Sequence, residues 1–197
     1  YDENLKDKRP QLIFQNYDVI SKFLVSVLET DVDRVIVNSK NTYETVSEYL
    51  KKIGKENVEV VLNENEDLTQ MHDIAGQIEE MKERKIWLKC GGFITIDKTE
   101  ALTAIDINSG KFTGKKNSSK ENTIYKVNQE ATVEIAKQLR LRNISGIIVI
   151  DYIDMEEEQD RKNIMNLLEK ELKKDRSKTQ VMGFTKLDLL EMTRKKL

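Results

Sequence analysis

The sequence of 197 residues has a single cysteine, Cys90, a single proline and a single histidine, His72. One cysteine excludes an internal disulfide framework and fits a reducing compartment, although a lone thiol is explained equally well as a small core residue. His72 falls in an acidic, helix-forming part of the chain, so we interpret it as a surface or packing residue rather than a general base. The scarcity of proline and glycine predicts regular elements joined by short links.

Long apolar runs are also missing. None approaches the roughly 20 residues that cross a bilayer, and the start YDENLKDKRP lacks signal-peptide character, so we expect a cytoplasmic protein without a membrane segment. The 38% of hydrophobic residues are enough for a packed core. Because the first residue is Tyr1 and not methionine, we expect the chain to be a piece of a longer protein.

Charge of one sign does not dominate, since the net charge is only −2. The two parts of the chain differ, however. Residues 1–85 carry 12 basic and 18 acidic side chains, whereas residues 86–197 carry 21 and 17. The second part is therefore the better candidate for binding a phosphate-rich ligand.

The pattern of apolar residues predicts an α/β fold with a mixed sheet and a boundary near residue 85. In residues 1–85 strands (QLIF, DRVIVNS, VEVVLN) alternate with helices, the last of them from Leu68 to Arg84. After residue 85 the segments IWLKCGGFITID and EALTAIDIN predict strands, with a hairpin at Gly91-Gly92. Helices over 123–141 and 156–175 and the strands GIIVID, TQVMGFT and DLLEMTRKK complete the second part.

Two acids, Asp106 and Asp151, stand at the ends of apolar strands, where open α/β sheets gather their ligands. If these strands are neighbours, carboxylates about 4 Å apart repel by roughly 4 kcal/mol at an effective dielectric near 20. Protonation of one acid or a bound divalent cation would offset the repulsion. Asn108, two residues after Asp106, points to the same face and would orient a carboxylate. The pattern predicts a Mg²⁺ site for phosphodiester chemistry; the alternative is an ordinary turn before Ser109-Gly110.

Other charged residues near these acids have simpler explanations. Asp154 is interpreted as the N-cap of the helix that follows it. Each basic residue is, taken singly, also explained as a solvated surface charge, and Arg194 belongs to this group as well. The candidates for contacts with RNA phosphates are Lys111, Lys115, Lys116, Arg140, Arg142 and Lys186.

Three blocks of the sequence carry a family resemblance. GGFITIDKTEALTAIDINSGKFTG, NQEATVEIAKQLRLRNISGIIVIDYIDM and LLEMTRKK together resemble the catalytic region of the ribonuclease E/G family of bacterial endoribonucleases. The resemblance runs from about Lys85 to Leu197. It implies a DNase I-like subdomain over residues 86–197 and, before it, the latter part of an RNase H-like structural subdomain over residues 1–85.

The resemblance also implies chemistry. Asp106 and Asp151 would hold Mg²⁺, for which Mn²⁺ is an expected substitute, Asn108 would support them, and the substrate would be single-stranded RNA. Self-association through the DNase I-like subdomain is implied as well. The family's zinc-binding Cys-Pro-x-Cys motif and its OB-type RNA-binding domain are not in this sequence, so we expect weaker dimers and weaker RNA binding. The alternatives are an inert RNA-binding or dimerisation scaffold and a DNA nuclease.

Overall fold

The structure is a computed structural model that describes residues 19–28, 32–65, 67–110 and 120–196. Contacts divide the chain into two compact units, Tyr1–Ala75 and Gly76–Leu197. The strand predicted at QLIF and the three lysines Lys111, Lys115 and Lys116 lie outside the described residues. No helix in the described ranges combines the length and the apolar character needed to cross a membrane.

The first unit is a small α/β layer. Its elements are α1 (Val19–Val27), β1 (Arg34–Val37), α2 (Lys40–Lys52), β2 (Glu59–Leu62) and α3 (Leu68–Met71). Strands β1 and β2 are parallel, and α2 is the connection between them. Ser39 caps α2 by accepting a hydrogen bond from the Thr42 amide at 3.2 Å. The apolar side chains of these elements share one core, which includes Leu24, Leu28, Val46, Leu50 and Val58.

The helix predicted from Leu68 to Arg84 is not continuous. It is broken between α3 and a second helix, α4 (Ile74–Glu80), because Asp73 adopts a left-handed backbone conformation with φ of 46°. Helix α4 runs across the division between the two units. His72 is the exposed C-terminal cap residue of α3, which agrees with its interpretation as a surface residue.

The second unit is a six-stranded mixed sheet with two long helices. After α4 its elements are β3 (Lys85–Trp87), β4 (Phe93–Lys98), β5 (Leu102–Asn108), α5 (Lys120–Leu141), β6 (Gly146–Asp151), α6 (Glu158–Leu172), β7 (Thr179–Phe184) and β8 (Leu189–Arg194). The strand order is β3-β4-β5-β6-β8-β7. Only β5 and β6 pair in parallel, and α5 is their crossover. The predicted mixed α/β class is confirmed.

The two faces of this sheet differ in character. Side chains on one face form the core with α5 and α6, including Ile105, Ile148, Ile135 and Leu168, all at most 1% exposed. Along β5 the burial alternates, so that Ile105 and Ile107 are buried while Ala104 and Asp106 are exposed. We call the second face, which carries Asp106, the open face. The fold thus directs every second side chain of β5 and β6 away from the core.

Candidate active site

Asp106 and Asp151 lie side by side on the open face. The two residues are register partners in the parallel pair β5–β6, and both are exposed. Register partners in adjacent strands point to the same face, and neighbouring strands lie about 4.7–4.9 Å apart. The predicted proximity of these two acids, 45 positions apart in the sequence, is confirmed.

Asn108 and the neighbouring charges set the electrostatics of the pair. The Asn108 Nδ2 donates to Asp106 Oδ2 at 2.5 Å, which fixes the orientation of that carboxylate. Partial burial raises the pKa of Asp151, and the negative charges of Asp106 and Asp154 raise that pKa further. The negative charge of Asp151 is therefore energetically unfavourable in this surrounding, and a cation bound beside it would remove that cost.

The end of β5 is held in place by the hairpin between β3 and β4. Gly92 packs so closely that a Cβ atom at this position would lie 2.8 Å from the Asn108 carbonyl oxygen. The Glu130 carboxylate of α5 accepts hydrogen bonds from the backbone amides of Lys89 and Cys90, the latter at 3.1 Å to Oε2. The predicted hairpin is confirmed. Gly92 allows the hairpin to pack closely against the end of β5 because it has no side chain.

The segment after Asp151 is anchored from α5. Asn128 is fully buried; its Nδ2 donates to the Ile153 carbonyl oxygen at 2.8 Å, and its Oδ1 accepts from the Ile153 amide at 3.2 Å. The Tyr152 and Thr132 hydroxyls are 3.0 Å apart, and burial raises the pKa of Tyr152 far above its ordinary value. Sequence reasoning missed Asn128. The sequence signal that could have found Asn128 is a polar residue on the apolar stripe of a helix.

The interpretation of Asp154 as a helix N-cap is wrong. Helix α6 begins at Glu158, and its N-cap is Glu157, whose side chain makes no capping hydrogen bond. Asp154 is exposed and close enough to Asp151 to raise its pKa. The physical reason is that residues 152–155 belong to the anchored segment and not to the helix. Helix α6 therefore begins about one turn later than an N-cap at Asp154 would place it.

The basic residues predicted to contact RNA are spread over the second unit. Lys186 lies in the turn between β7 and β8, three residues before Leu189, the register partner of Asp151. Arg140 lies in the last turn of α5 and Arg142 just after that helix, before the start of β6, whereas Asp151 is at the end of β6. Their guanidinium groups bond to the Glu171 carbonyl oxygen and to the Gln138 side chain. The fold does not bring these two arginines to the acids.

Arg194 is not available to phosphate. It is 2% exposed, and its Nε lies 2.8 Å from Asp175 Oδ2. Its Nη1 donates to the Asn143 side chain and to the Ile144 carbonyl oxygen, each at 2.9 Å. The guanidinium group is therefore occupied by hydrogen bonds within the fold.

The donor set at the site suits a hard cation. Within the described residues no group of three or more histidine, cysteine or acidic side chains is placed to hold a metal ion. Two carboxylates and a supporting amide are too few for a zinc site, whereas Mg²⁺ takes few protein ligands and keeps water or phosphate oxygens. Cys90 is half-buried and burial raises the pKa of its thiol, which disfavours the metal-binding thiolate.

Comparison with known proteins identifies the family of the chain. Residues 1–197 match the family model described as the ribonuclease E/G family. The chain is 41% identical over 196 residues to ribonuclease G of Escherichia coli K12 and 40% identical to that of Salmonella typhimurium, covering 97% of this chain and 40% of each relative. It is 36% identical over 194 residues to ribonuclease E of Nostoc sp. PCC 7120, covering 96% of this chain and 28% of that relative. The chain thus spans less than half the length of these relatives.

Proposed function

Because the chain belongs to the ribonuclease E/G family, we propose that it carries the catalytic site of an endoribonuclease that hydrolyses phosphodiester bonds in single-stranded RNA. Asp106 and Asp151 are the proposed cation ligands, and Asn108 is the proposed positioning residue. The observation that carries this proposal is the register pairing of the two aspartates on the open face.

Mg²⁺ is the proposed cofactor, with Mn²⁺ as its substitute. The adjacent carboxylates offer oxygen ligands from two strands that the sheet keeps at a fixed spacing. When bound, Mg²⁺ would lower the pKa of a coordinated water and neutralise charge that develops on the phosphate.

The protein's own residues have distinct roles in this proposal. Asp106 and Asp151 supply negative charge on an exposed surface where a phosphodiester can approach. Asn108 holds Asp106 in one rotamer, which leaves Asp106 Oδ1 free of that hydrogen bond. Lys186, in the turn between β7 and β8, is a proposed contact for the RNA backbone.

The decisive experiment uses end-labelled single-stranded RNA incubated with the protein in Mg²⁺ or in EDTA. We expect metal-dependent products from the unmodified chain, and a loss of about a hundredfold or more in rate for Asp106→Asn and for Asp151→Asn. Glu100→Gln is the matched control, because Glu100 is an exposed acid at the opposite end of β5. A single-stranded DNA of the same sequence tests the competing DNA nuclease function.

The scaffold alternative predicts a different result. A scaffold would retard the labelled RNA in a gel and yield no metal-dependent products. Cleavage at the normal rate by either asparagine variant would refute the assignment of the two aspartates as cation ligands.

Self-association through the second unit is a further part of the proposal. Exposed apolar side chains of its sheet, Ile147 at 53% and Met182 at 62%, are compatible with such a contact. Sedimentation velocity over a range of concentrations should show a weak, reversible dimer. A stable tetramer of this chain would contradict that expectation.

A further inference from the structure

An aromatic pair lies on the open face beside the two aspartates. Trp87 of β3 and Phe93 of β4 are register partners, and their ring centroids are 5.3 Å apart at an interplanar angle of 62°. Trp87 is 64% exposed and is the only tryptophan of the sequence. Because the largest apolar side chains normally contribute to stability through burial, an exposed tryptophan next to a candidate active site points to an intermolecular role.

A lysine adds positive charge to the aromatic pair. The Lys85 Nζ lies 3.9 Å from the centroid of the Trp87 ring and 3.6 Å from that of Phe93. Such cation–π contacts keep the ammonium group beside the rings. We call Lys85, Trp87 and Phe93 the aromatic platform; it offers flat apolar surface and a cation at one place.

The aromatic platform is continuous with the acid pair. Phe93 is the register partner of Asn108, the residue that bonds to Asp106. Phe93 and Asp106 are therefore diagonal neighbours, a relation in which residues lie about 7–8 Å apart and their Cβ atoms somewhat closer. A row of register partners crosses the sheet beside this one: Lys85 pairs with Thr95, Thr95 with Asp106, and Asp106 with Asp151. A short ligand on the open face can touch both features at once.

We propose that the aromatic platform stacks a base of the single-stranded RNA whose phosphodiester lies at Asp106 and Asp151, while Lys85 contacts a backbone phosphate. The proposal rests on the proposed function for the identity of the ligand and adds a base-binding subsite to it. Single-stranded nucleic acid is the occupant that uses both an exposed ring and an adjacent cation, since every base has a stacking face and every nucleotide a phosphate. In duplex RNA the bases are already stacked and would not be available.

Intrinsic fluorescence tests the stacking directly, because all tryptophan emission of this chain comes from Trp87. The titration uses the Asp106→Asn variant in EDTA, so that no cleavage occurs during the measurement. We expect saturable quenching by a single-stranded oligoribonucleotide. An abasic oligomer with the same number of phosphates and a blunt duplex should leave the emission nearly unchanged. Equal quenching by the abasic oligomer would overturn base stacking.

Affinity measurements with labelled RNA provide the second test. Trp87→Ala and Phe93→Ala should each raise the dissociation constant by about tenfold or more, and Trp87→Phe should restore most of the affinity because a ring remains. Tyr43→Ala is the matched control, since it removes a partly exposed ring from the first unit. Circular dichroism checks the folding of each variant. If Trp87→Ala does not fold, the quenching titration on the intact ring decides the question.

The failures of the two proposals are distinguishable. If the alanine variants bind and cleave RNA as the unmodified chain does, the aromatic platform is refuted and the aspartate site stands. If RNA quenches Trp87 but the unmodified chain cleaves nothing, the base subsite stands and the nuclease proposal fails. Emission that shifts to the blue with protein concentration, without a response to RNA, would show that a second copy covers Trp87 and would overturn base binding.

Discussion

At the scale of the residue, Asp151 is an acid whose charge makes the fold less stable. It is exposed at the end of β6, yet the pKa of its carboxyl group is raised by partial burial and by the charges of Asp106 and Asp154. Two like charges on adjacent strands destabilise the fold when no cation is present. Such a cost is common at functional sites, where binding requires groups that folding alone would not favour.

The raised pKa of Asp151 predicts a pH-dependent stability change. The folded state holds the Asp151 proton more tightly than the unfolded state, whose carboxyl group titrates near 3.8. Stability is therefore lost as the pH rises from about 3.8 through the folded pKa. Asp151→Asn should raise the free energy of unfolding in EDTA at pH 7, by less than about 1 kcal/mol because the group is largely solvated.

Urea unfolding of the variant and the unmodified chain at pH 7 and at pH 3 measures this effect. The difference between the two proteins should shrink at pH 3, where Asp151 is protonated in both states. Glu100→Gln, at an exposed acid far from the pair, should show no gain at either pH. An equal gain at both pH values would exclude charge repulsion as the cause.

At the scale of the element, helix α5 does more than cover the sheet. One of its faces packs Val127, Ala131, Ile135 and Leu139 in the core, all at 0% exposure. The same helix bonds the hairpin through Glu130 and the segment after β6 through Asn128. The ends of the strands that bear the site are thus fixed by one helix, which couples the packing of the core to the geometry of the acids.

Replacing Asn128 should separate these two roles of α5. Asn128→Ala leaves both the amide and the carbonyl of Ile153 without their partners, at a cost of roughly 1–3 kcal/mol in the free energy of unfolding. We also expect the apparent affinity for Mg²⁺ in RNA cleavage to fall at a temperature where the variant is folded, because the segment after Asp151 is no longer anchored.

Thermal unfolding and the Mg²⁺ dependence of the cleavage rate are the measurements for this variant. Lys126→Ala, at an exposed position of the same helix, is the control and should change stability by no more than about 0.5 kcal/mol. A purely structural role for Asn128 would lower stability and leave the Mg²⁺ dependence of the folded protein unchanged.

At the scale of the second unit as a whole, a buried ion pair ties distant segments together. Arg194 at the end of β8 bonds to Asp175 after α6 and to Asn143 and Ile144 before β6. Burial by itself would raise the pKa of Asp175, but hydrogen bonds from Arg194 and from the Ser177 amide outweigh it, and the pKa is lowered. The stabilisation from this pair is present above the ordinary pKa of an aspartate and is lost as the pH falls through the lowered value.

Arg194→Met should strongly destabilise the unit, by about 3–5 kcal/mol, because the Asp175 carboxylate would stay buried without the cation that it pairs with. Lys162→Ala breaks an exposed ion pair to Glu158 on α6 and should cost less than about 1 kcal/mol. Chemical denaturation at pH 7 compares the two variants. A loss for Arg194→Met no larger than that for Lys162→Ala would contradict a structural role for the buried pair.

The sequence by itself determined the elements of the second unit and the two acids, because apolar periodicity and chain connectivity are local properties. Apolar stretches that end in an acid marked β5 and β6, and the long apolar stripe marked α5. Local patterns could not separate Arg194 in the core from Lys186 on the surface, nor tell that Asp154 is not a cap. These outcomes depend on which strands become neighbours, through contacts between residues far apart in the chain.

The tertiary structure decided that Asp106 meets Asp151 and that Asn128 meets Ile153, because each pair joins residues far apart in the chain. The pattern within a strand determines which face of the sheet each side chain takes. The register between strands determines which residue of the neighbouring strand lies beside it. The sequence therefore named the candidate ligands of the cation. The sheet placed them side by side, with Phe93 one strand away from β5 and the exposed Trp87 two strands away.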